Sequence, residues 1–138
     1  MKMKDKIFED GEESRDFINV VDVAVGVISA LENKKSNGKI INLGSGVGTT
    51  VNKITDILRN AYKSGSEINV TGDFRLGDIA HNVADISKAK ELLNFKLTVD
   101  LENGLTQFCN WVKGQEHDNS GYENSLCEME KTGMFFRK

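Results

Sequence analysis

The sequence predicts an α/β fold with few strands and several helices. Strand-like runs at Lys39 to Leu43 and Glu67 to Thr71 flank a helical stretch, so they form one βαβ unit. Such a unit pairs its two strands in parallel through a right-handed crossover. An Asp10–Gly11 turn between two short extended pieces is typical of a hairpin. In the C-terminal half, apolar residues recur at helical spacing, which predicts several helices there.

The N-terminal part is expected to form this hairpin and then a helix. Its extended pieces are Ile7 to Glu9 and Arg15 to Val20, the second being rich in residues that favour a pleated surface. Asp22 is predicted to N-cap a helix from Val23 to about Asn33. Residues at positions i, i+4, i+7 and i+8 predict the buried face of this helix: Val23, Val27, Ala30 and Leu31.

The middle of the chain is predicted to contain a second helix and a functional loop. After the glycine-rich turn Gly44 to Thr50, the Thr50 side chain can cap a helix from Val51 to about Lys63. The apolar residues on one face of that helix are Ile54, Ile57, Leu58 and Ala61. The stretch from Phe74 to Ala84 has no clear period, and Gly77 is its expected pivot. Because firm elements flank this loop, we expect it to carry function.

Three more helices are predicted toward the C-terminus. Asp85 and Asp100 are placed as N-caps of helices at Ile86 to Asn94 and Leu101 to about Gln115. A last helix, Tyr122 to Thr132, is followed by Gly133 in the C′ position and then by a tail. The side chains expected to face the core are Ile86, Ala89, Leu92, Leu93, Leu101, Leu105, Phe108, Cys109, Val112, Tyr122, Leu126 and Met129.

Composition excludes several classes of function. The chain has 138 residues, enough for one domain, and its net charge of −3 does not favour nucleic acid or an anionic membrane. It contains no apolar run of the ~20 residues that a membrane span needs and no signal-peptide core. We therefore expect a cytoplasmic protein, with Cys109 and Cys127 as free thiols. The two histidines, His81 and His117, do not suggest a metal site.

The glycine-rich turn lies where a dinucleotide-binding turn would lie, between a strand and a helix. Its glycines, Gly44, Gly46 and Gly48, follow a G-x-G-x-G pattern, whereas the fingerprint is G-x-G-x-x-G. The next acidic residue, Asp73, comes late, beyond a glycine. Two interpretations remain: the glycines permit a tight turn, or the backbone N–H groups line a ligand pocket.

Two arginines are the leading candidates for binding. Arg15 and Arg75 each lie near an aspartate and a glycine-containing turn, so as a pair they could grip an anion. Arginine binds two oxygens at once, which suits a diphosphate, and Asp78 could accept a hydrogen bond from a ribose hydroxyl. The alternatives are a surface ion pair for Arg15 and a turn-stabilising role for Asp78. His81 with Asp78 or Asp85 is a weaker candidate for base catalysis.

Four stretches then identify a resemblance. The sequence contains I-F-E-D-G-E-E-S-R-D-F-I-N-V-V-D-V-A, I-N-L-G-S-G, T-G-D-F-R-L-G-D-I-A-H-N-V-A-D-I-S-K-A-K-E-L-L-N-F and L-E-N-G-L-T-Q-F-C-N-W-V, in this order. It resembles the C-terminal half of NAD-dependent nucleotide-sugar epimerases and dehydratases, the extended short-chain dehydrogenase/reductase family. Within that family it is most similar to the 4-epimerases acting on UDP- or dTDP-sugars, such as UDP-glucose or dTDP-rhamnose 4-epimerase.

The resemblance implies roles for the candidate residues. In the family, the arginines of R-D-F and R-x-G-D bind the substrate diphosphate, and these roles fall on Arg15 and Arg75. The aspartate of the second motif lies near the nucleotide ribose, which implies this role for Asp78. The sequence departs from the family at Ala80, where arginine is common, and at Leu97, where proline is usual.

The resemblance also implies what these residues lack. The NAD fingerprint and the Tyr-x-x-x-Lys catalytic pair belong to the family's N-terminal Rossmann domain, so we expect no catalytic or cofactor-binding residue here and no activity of this chain alone. Residues 1–6 are then a leader, 7–115 the substrate-binding domain, and 116–138 a linker, helix and tail. The alternatives are a non-catalytic interaction domain that stands alone and a small nucleotide-binding module built on the glycine turn.

Overall fold

The computed structural model describes residues 4–116 and 121–138 and has the predicted α/β character. The helices are α1 Val20–Glu32, α2 Val51–Tyr62, α3 Ser87–Leu93, α4 Leu101–Val112 and α5 Gly121–Lys131. The strands are β1 Lys4–Ile7, β2 Ser14–Asp16, β3 Gly48–Thr50, β4 Glu67–Val70, β5 Phe74–Arg75, β6 His81–Asn82 and β7 Phe135–Phe136. Part of the predicted leader (1–3) and of the predicted linker (117–120) lies outside the described residues.

The strands form three small sheets rather than a hairpin and a βαβ unit. β1 pairs in parallel with β4, and β5 pairs antiparallel with β7. In the third sheet, β2 lies between β3, to which it is antiparallel, and β6, to which it is parallel. The first strand also begins at Lys4, within the segment predicted as a leader.

The predicted hairpin is wrong because the Asp10–Gly11 turn is held by another element. The start of α2 donates to this segment: Val51 N donates to Glu13 O, and Asn52 N donates to Gly11 O, each at 3.0 Å. The Asn52 side chain adds a bond of 2.7 Å to Glu12 Oε1. The chain therefore turns onto α2, and β1 finds its partner in β4 instead.

The predicted strand Lys39 to Leu43 has no strand partner among the described residues, so the predicted βαβ unit is also wrong. The segment packs through its side chains. Ile41 and Leu43 lie against a buried cluster of Ile86, Ala89 and Phe95, whereas Ile40 is 84% exposed. The apolar character of this run agrees with the packing of Ile41 and Leu43 against the cluster. A strand also needs a neighbouring backbone to pair with, which the run does not reveal.

The first helix begins three residues earlier than predicted, at Val20, and its N-cap is Asn19. The Asn19 side chain accepts a hydrogen bond of 2.9 Å from Val21 N, so the predicted strand Arg15 to Val20 ends at Asp16. Asp22, predicted as the cap, is completely buried inside the helix. Its carboxylate joins α1 to the segment that precedes α4, accepting bonds from Thr98 N, Thr98 Oγ1 and Val99 N.

The apolar side of α1 faces away from the rest of the chain. The buried residues of the helix are Asp22 and Gly26, and a Cβ on Gly26 would lie 2.7 Å from the Leu43 side chain. The predicted buried face is therefore wrong at Val27 and Leu31, which are 46% and 83% exposed. Because Gly26 has no side chain, α1 approaches Leu43 closely on that side. The apolar residues Val27 and Leu31 of the same helix are therefore exposed to solvent.

The other helices match their predicted faces more closely. Thr50 caps α2 and Asp100 caps α4, as predicted. Ile57, Cys109 and Leu126 are buried on α2, α4 and α5. The prediction is wrong for Phe108 and Tyr122, which are more than half exposed. Asp85 lies two residues before α3 and accepts bonds from Ser87 N and Ser87 Oγ.

The loop and the tail contain short strands that the sequence did not predict. β5 and β6 lie in the loop Phe74 to Ala84, whose pivot Gly77 has φ +80°. The predicted tail contains β7, which follows Gly133 with φ +69°. Both cysteines are free, Cys109 buried and Cys127 exposed. In the described part of the chain, no helix is long and apolar enough to cross a membrane.

Candidate functional site

The three predicted site residues lie together on one face of the structure. Asp78 bridges the two arginines: its Oδ1 lies 2.7 Å from Arg15 Nη2, and its Oδ2 lies 3.7 Å from Arg75 Nη2. The exposed side-chain fractions are 32% for Arg15, 50% for Arg75 and 34% for Asp78. We call Arg15, Arg75 and Asp78 the arginine cluster. Both arginine side chains are therefore partly exposed to solvent.

Arg15 is positioned by the strand in which it lies. It occupies the middle of β2, between Thr49 on β3 and Asn82 on β6. Its Nη1 donates to two backbone oxygens, Ser14 O at 2.9 Å and Ala80 O at 3.1 Å. One edge of the guanidinium is therefore fixed, and at the other edge Nη2 donates to Asp78 Oδ1 at 2.7 Å.

Arg75 is positioned by aromatic packing and by the short strand β5. It pairs with Phe135 on β7, and its Cζ lies 5.9 Å from the centre of the Phe8 ring. This distance permits a cation–π interaction, which favours one orientation of the guanidinium. Asp78 follows at the turn around Gly77, where Asp78 N donates to Arg75 O at 3.3 Å.

A carboxyl pair lies close to the arginine cluster. A hydrogen bond to Glu13 raises the pKa of Glu9, and burial and the charges of Glu13, Asp78 and Asp10 act in the same direction. The backbone of Glu9 is fixed by a bond of 2.8 Å from its N to Asp73 O.

Several backbone donors of the glycine-rich turn are engaged by side chains of this chain. Asp16 accepts hydrogen bonds from Ser45 N at 2.7 Å, Gly46 N at 2.9 Å and Ala84 N at 3.2 Å, and also from Ser45 Oγ. Val47 N donates to Ser45 Oγ at 3.1 Å. The turn is therefore organised around a carboxylate of this chain, so the N–H groups of Ser45 and Gly46 are not free for a ligand. The interpretation in which other N–H groups of the turn line a ligand pocket stays a prediction.

Asp16 is the residue that sequence reasoning missed. Its partners lie 29 to 68 positions away in sequence, so no local spacing identifies them. Burial raises the pKa of Asp16, but the hydrogen bonds from Ser45, Gly46 and Ala84 outweigh burial and hold the pKa below its ordinary value. Because Asp16 follows Arg15 on β2, it joins the strand that positions the arginine to the turn after Leu43.

Among the described residues, His81 has a hydrogen bond to Ser14 and none to Asp78 or Asp85, and its role as a base stays a prediction. Its Nδ1 lies 2.9 Å from Ser14 Oγ, across the β2–β6 pair. Asp85 is engaged with Ser87, and Asp78 with the arginines. Within residues 4–116 and 121–138, no three His, Cys, Asp or Glu side chains are grouped to hold a metal ion. What the arranged residues can do is bind an anion.

An apolar groove lies apart from the cluster. It has a volume of about 470 Å³ and lies between the start of α1 and α4. Its lining includes Phe17, Val20, Val21, Phe108 and Trp111, and none of the three predicted site residues. The exposed apolar residues of α1 adjoin this groove, so the uncovered apolar surface and the arginine cluster are separate features.

Comparison with known proteins gives one family. Residues 2–44 match the profile described as "NAD dependent epimerase/dehydratase family". The chain is similar to a UDP-glucuronate 4-epimerase of Thermodesulfobacterium geofontis, with 38% identity over 78% of this chain and 33% of that protein. It is also similar to a dTDP-L-rhamnose 4-epimerase of Burkholderia thailandensis, with 31% identity over 81% of this chain and 30% of the other.

Solved structures agree. A UDP-glucose 4-epimerase of Thermotoga maritima, solved with UDP-glucose, superposes with a TM-score of 0.73 and 33% identity, over 80% of this chain and 35% of that one. A UDP-N-acetylglucosamine 4-epimerase of Methanobrevibacter ruminantium, solved with UDP-N-acetylmuramic acid, gives 0.73 and 32%, over 82% and 36%. The chain spans about a third of the length of the relatives it matches.

Proposed function

From the premise that this chain belongs to the NAD-dependent epimerase/dehydratase family, we propose that its arginine cluster holds the diphosphate of a UDP- or dTDP-sugar. The observation that carries the proposal is the meeting of Arg15 and Arg75 on one carboxylate. Arg15 and Asp78 are 63 positions apart in sequence, yet their side chains lie 2.7 Å apart. Two guanidinium groups aimed at two oxygens match the geometry of a diphosphate.

In this proposal the Asp78 carboxylate stands in for the anion. Its Oδ1 accepts a hydrogen bond from Arg15, and its Oδ2 forms an ion pair with Arg75 at 3.7 Å, so each oxygen faces one arginine as the oxygens of a diphosphate would. When the diphosphate binds, its oxygens take these donors, and Asp78 is released to accept from a ribose hydroxyl. The exchange costs little, because ion pairs as exposed as these contribute at most about 1 kcal/mol. The relatives support the ligand class, since their solved structures include complexes with UDP-sugars.

The chemistry of the family resides with NAD, which supplies hydride transfer at the sugar when bound. The Gly44–Gly48 turn does not fit the pyrophosphate of this cofactor, because its donors at Ser45 and Gly46 are taken by Asp16. We propose that NAD and the catalytic residues belong to an N-terminal Rossmann domain of the family protein. This chain then binds and orients the nucleotide, and by itself gives no turnover.

The uncovered apolar surface supports the same assignment. α1 exposes Val20, Ile28 and Leu31, and Ile40 is exposed beside an unpaired extended segment. Surfaces of this kind mark interaction sites, and we propose that the cofactor-binding domain covers this one. The surface also favours the second candidate, a non-catalytic interaction domain that stands alone. A domain of that kind binds no UDP, so one titration separates the two.

The test is a titration of this chain with UDP and UMP, followed by NMR. We expect UDP to bind more tightly than UMP, because the second phosphate contacts the arginine cluster. Arg15→Ala and Arg75→Ala each weaken UDP binding by about tenfold to a hundredfold, the effect of losing a charge-assisted bond, and bring UDP close to UMP. Arg15→Lys keeps the charge but loses the planar fork, and we expect it to recover only part of the affinity.

The matched control is Lys35→Ala, which removes one positive charge from an exposed site in the 3₁₀ turn Lys34–Ser36. It should bind UDP as the parent does. If Arg15→Ala and Arg75→Ala also bind UDP like the parent, the assignment of the diphosphate is wrong. If the parent binds no UDP at millimolar concentration, the interaction domain becomes the better assignment.

A further inference from the structure

We propose that the C-terminal strand β7 is a positioning element for Arg75, so that the affinity for a nucleoside diphosphate depends on the last five residues of the chain. The inference rests on the proposed function, since it concerns the orientation of one of the two arginines that hold the diphosphate. In the part of the chain that the structure describes, β7 forms no hydrogen bond or ion pair with Arg15 or Asp78. Its effect on the ligand passes through Arg75.

The backbone of β7 holds the segment that carries Arg75. Phe135 pairs with Arg75, and Phe136 pairs with Phe74, in an antiparallel register. Outside this pair, Leu76 N donates to Met134 O at 2.9 Å, and Lys138 N donates to Asp73 Oδ1 at 3.0 Å. Residues 73–76 are thus bonded along their length to residues 134–138. In the part of the chain that the structure describes, β7 is the one strand paired with β5.

Aromatic packing links β7 to the guanidinium itself. The Phe135 ring is 4% exposed and meets the Phe8 ring edge to face, with centres 5.2 Å apart. The Phe8 ring in turn lies 5.9 Å from Arg75 Cζ. On the other side of β5, the rings of Phe74 and Phe136 stack at 5.0 Å. Phe135 therefore supports the ring that orients Arg75.

The strand is fixed to the helix before it, rather than being a loose end. Met134 N donates to Met129 O at 2.8 Å, across the turn at Gly133. The Arg137 side chain forms an ion pair with Glu130 on α5, and Leu126 of the same helix is buried. α5 and β7 form one arm whose end lies along β5.

Without β7, the Arg75 segment would keep the bond from Glu9 N to Asp73 O, but its backbone would lose the strand pair at Phe74 and Arg75. It lies between Gly72 and Gly77, whose φ angles are +74° and +80°, so both ends have the wide conformational range of glycine. The buried cluster of Ile86, Ala89 and Phe95 lies on other elements. Loss of β7 should therefore disorder Arg75 while most of the fold remains. Ligand binding would then be weaker, because the ligand has to order the Arg75 side chain at a cost in conformational entropy.

The experiment uses UDP as the probe and compares the parent with a chain that ends at Gly133. We expect the shortened chain to bind UDP about tenfold more weakly, the loss of one charge-assisted contact. The decisive readout is a double-mutant cycle with Arg75→Ala. In the Arg75→Ala background, removal of β7 should change UDP affinity by less than about twofold, because the residue it positions is gone. A general structural role would give the same loss in both backgrounds.

A milder variant keeps the test decisive if the shortened chain does not fold. Phe136→Ala removes a ring that is 41% exposed and stacks on Phe74, and we expect UDP affinity to fall about threefold, which is again lost in the Arg75→Ala background. Tyr122→Ala is the matched control, an exposed aromatic on α5, and should bind like the parent. Unchanged binding by the shortened chain or by Phe136→Ala overturns the role of β7 alone. No binding of UDP by the parent overturns the proposed function as well.

Discussion

Three aspartates of this chain bind different kinds of partner: Asp16 and Asp22 bind backbone groups, whereas Asp78 binds arginine side chains. Asp16 and Asp22, which we call the aspartate anchors, accept from backbone N–H groups and one hydroxyl each. The Asp78 carboxylate instead forms ion pairs with two arginine side chains, one of them hydrogen-bonded, and its side chain is 34% exposed. Asp22 is fully buried. The two kinds of site use the same functional group in opposite ways.

The difference separates structural from binding roles. A backbone N–H cannot move away from its acceptor without unfolding the segment, so an anchored carboxylate has no freedom to release its donors. An arginine side chain on a flexible stem can exchange one anion for another. The aspartate anchors therefore fix α1 and β2 in place, and the arginine cluster on the same framework remains available to a ligand.

The largest effect should come from removing an anchor. Asp22→Ala removes the fully buried acceptor of the bonds from Thr98 N, Thr98 Oγ1 and Val99 N, and we expect a loss of about 3 kcal/mol in the free energy of unfolding. Urea unfolding of parent and variant measures it. Asp56→Ala, an exposed carboxylate on α2, is the control and should change stability by less than about 0.5 kcal/mol. Equal stabilities of Asp22→Ala and the parent would remove the distinction between anchor and cluster.

A smaller loss should appear on acidification. Burial raises the pKa of Asp22, but hydrogen bonds from Thr98 and Val99 outweigh it, so the folded pKa lies below its ordinary value, as it does for Asp16. In the unfolded chain, an aspartate has a pKa of about 3.9. The contribution of the two carboxylates to stability is therefore complete above that pH and is lost as the pH falls through the folded values.

Thermal unfolding between about pH 6 and pH 3 measures this dependence. Asp22→Asn cannot titrate at this position, so its unfolding temperature should fall less steeply with acid than that of the parent. A variant curve parallel to the parent curve would show that the Asp22 carboxylate is not the group protected by these bonds.

The smallest effect on stability is expected at the arginine cluster, where a substitution should instead strengthen the binding of an anion. Asp78→Asn removes a charge that competes with an anion for Arg15 and Arg75, so inorganic pyrophosphate should bind about threefold more tightly. Stability should change by less than about 0.5 kcal/mol. Isothermal titration with pyrophosphate, which has no ribose, isolates the charge effect. Weaker binding of pyrophosphate by Asp78→Asn would mean that Asp78 orders the arginines more than it competes for them.

The sequence predicted the helices better than the strands. The caps of α2 and α4, at Thr50 and Asp100, and the inward residues Ile57 and Cys109 follow from local spacing. The strand pairs β1–β4 and β2–β6 join distant segments, and no local pattern names a strand's partner. The exposed apolar side of α1 was misread because periodicity identifies an amphipathic helix but not what covers its apolar face.

The α/β class and the position of most helices could be predicted from the sequence alone, because they depend on residue type and local spacing, and the family motifs named Arg15, Arg75 and Asp78 as candidates. The buried position of Asp22, the bonds of Asp16 to the glycine turn and the pairing of β7 with β5 became visible only in the folded chain. The two groups differ in the range of their interactions. Helix hydrogen bonds span four residues, whereas these carboxylates and strands find partners that are distant in sequence and meet only when the chain has folded.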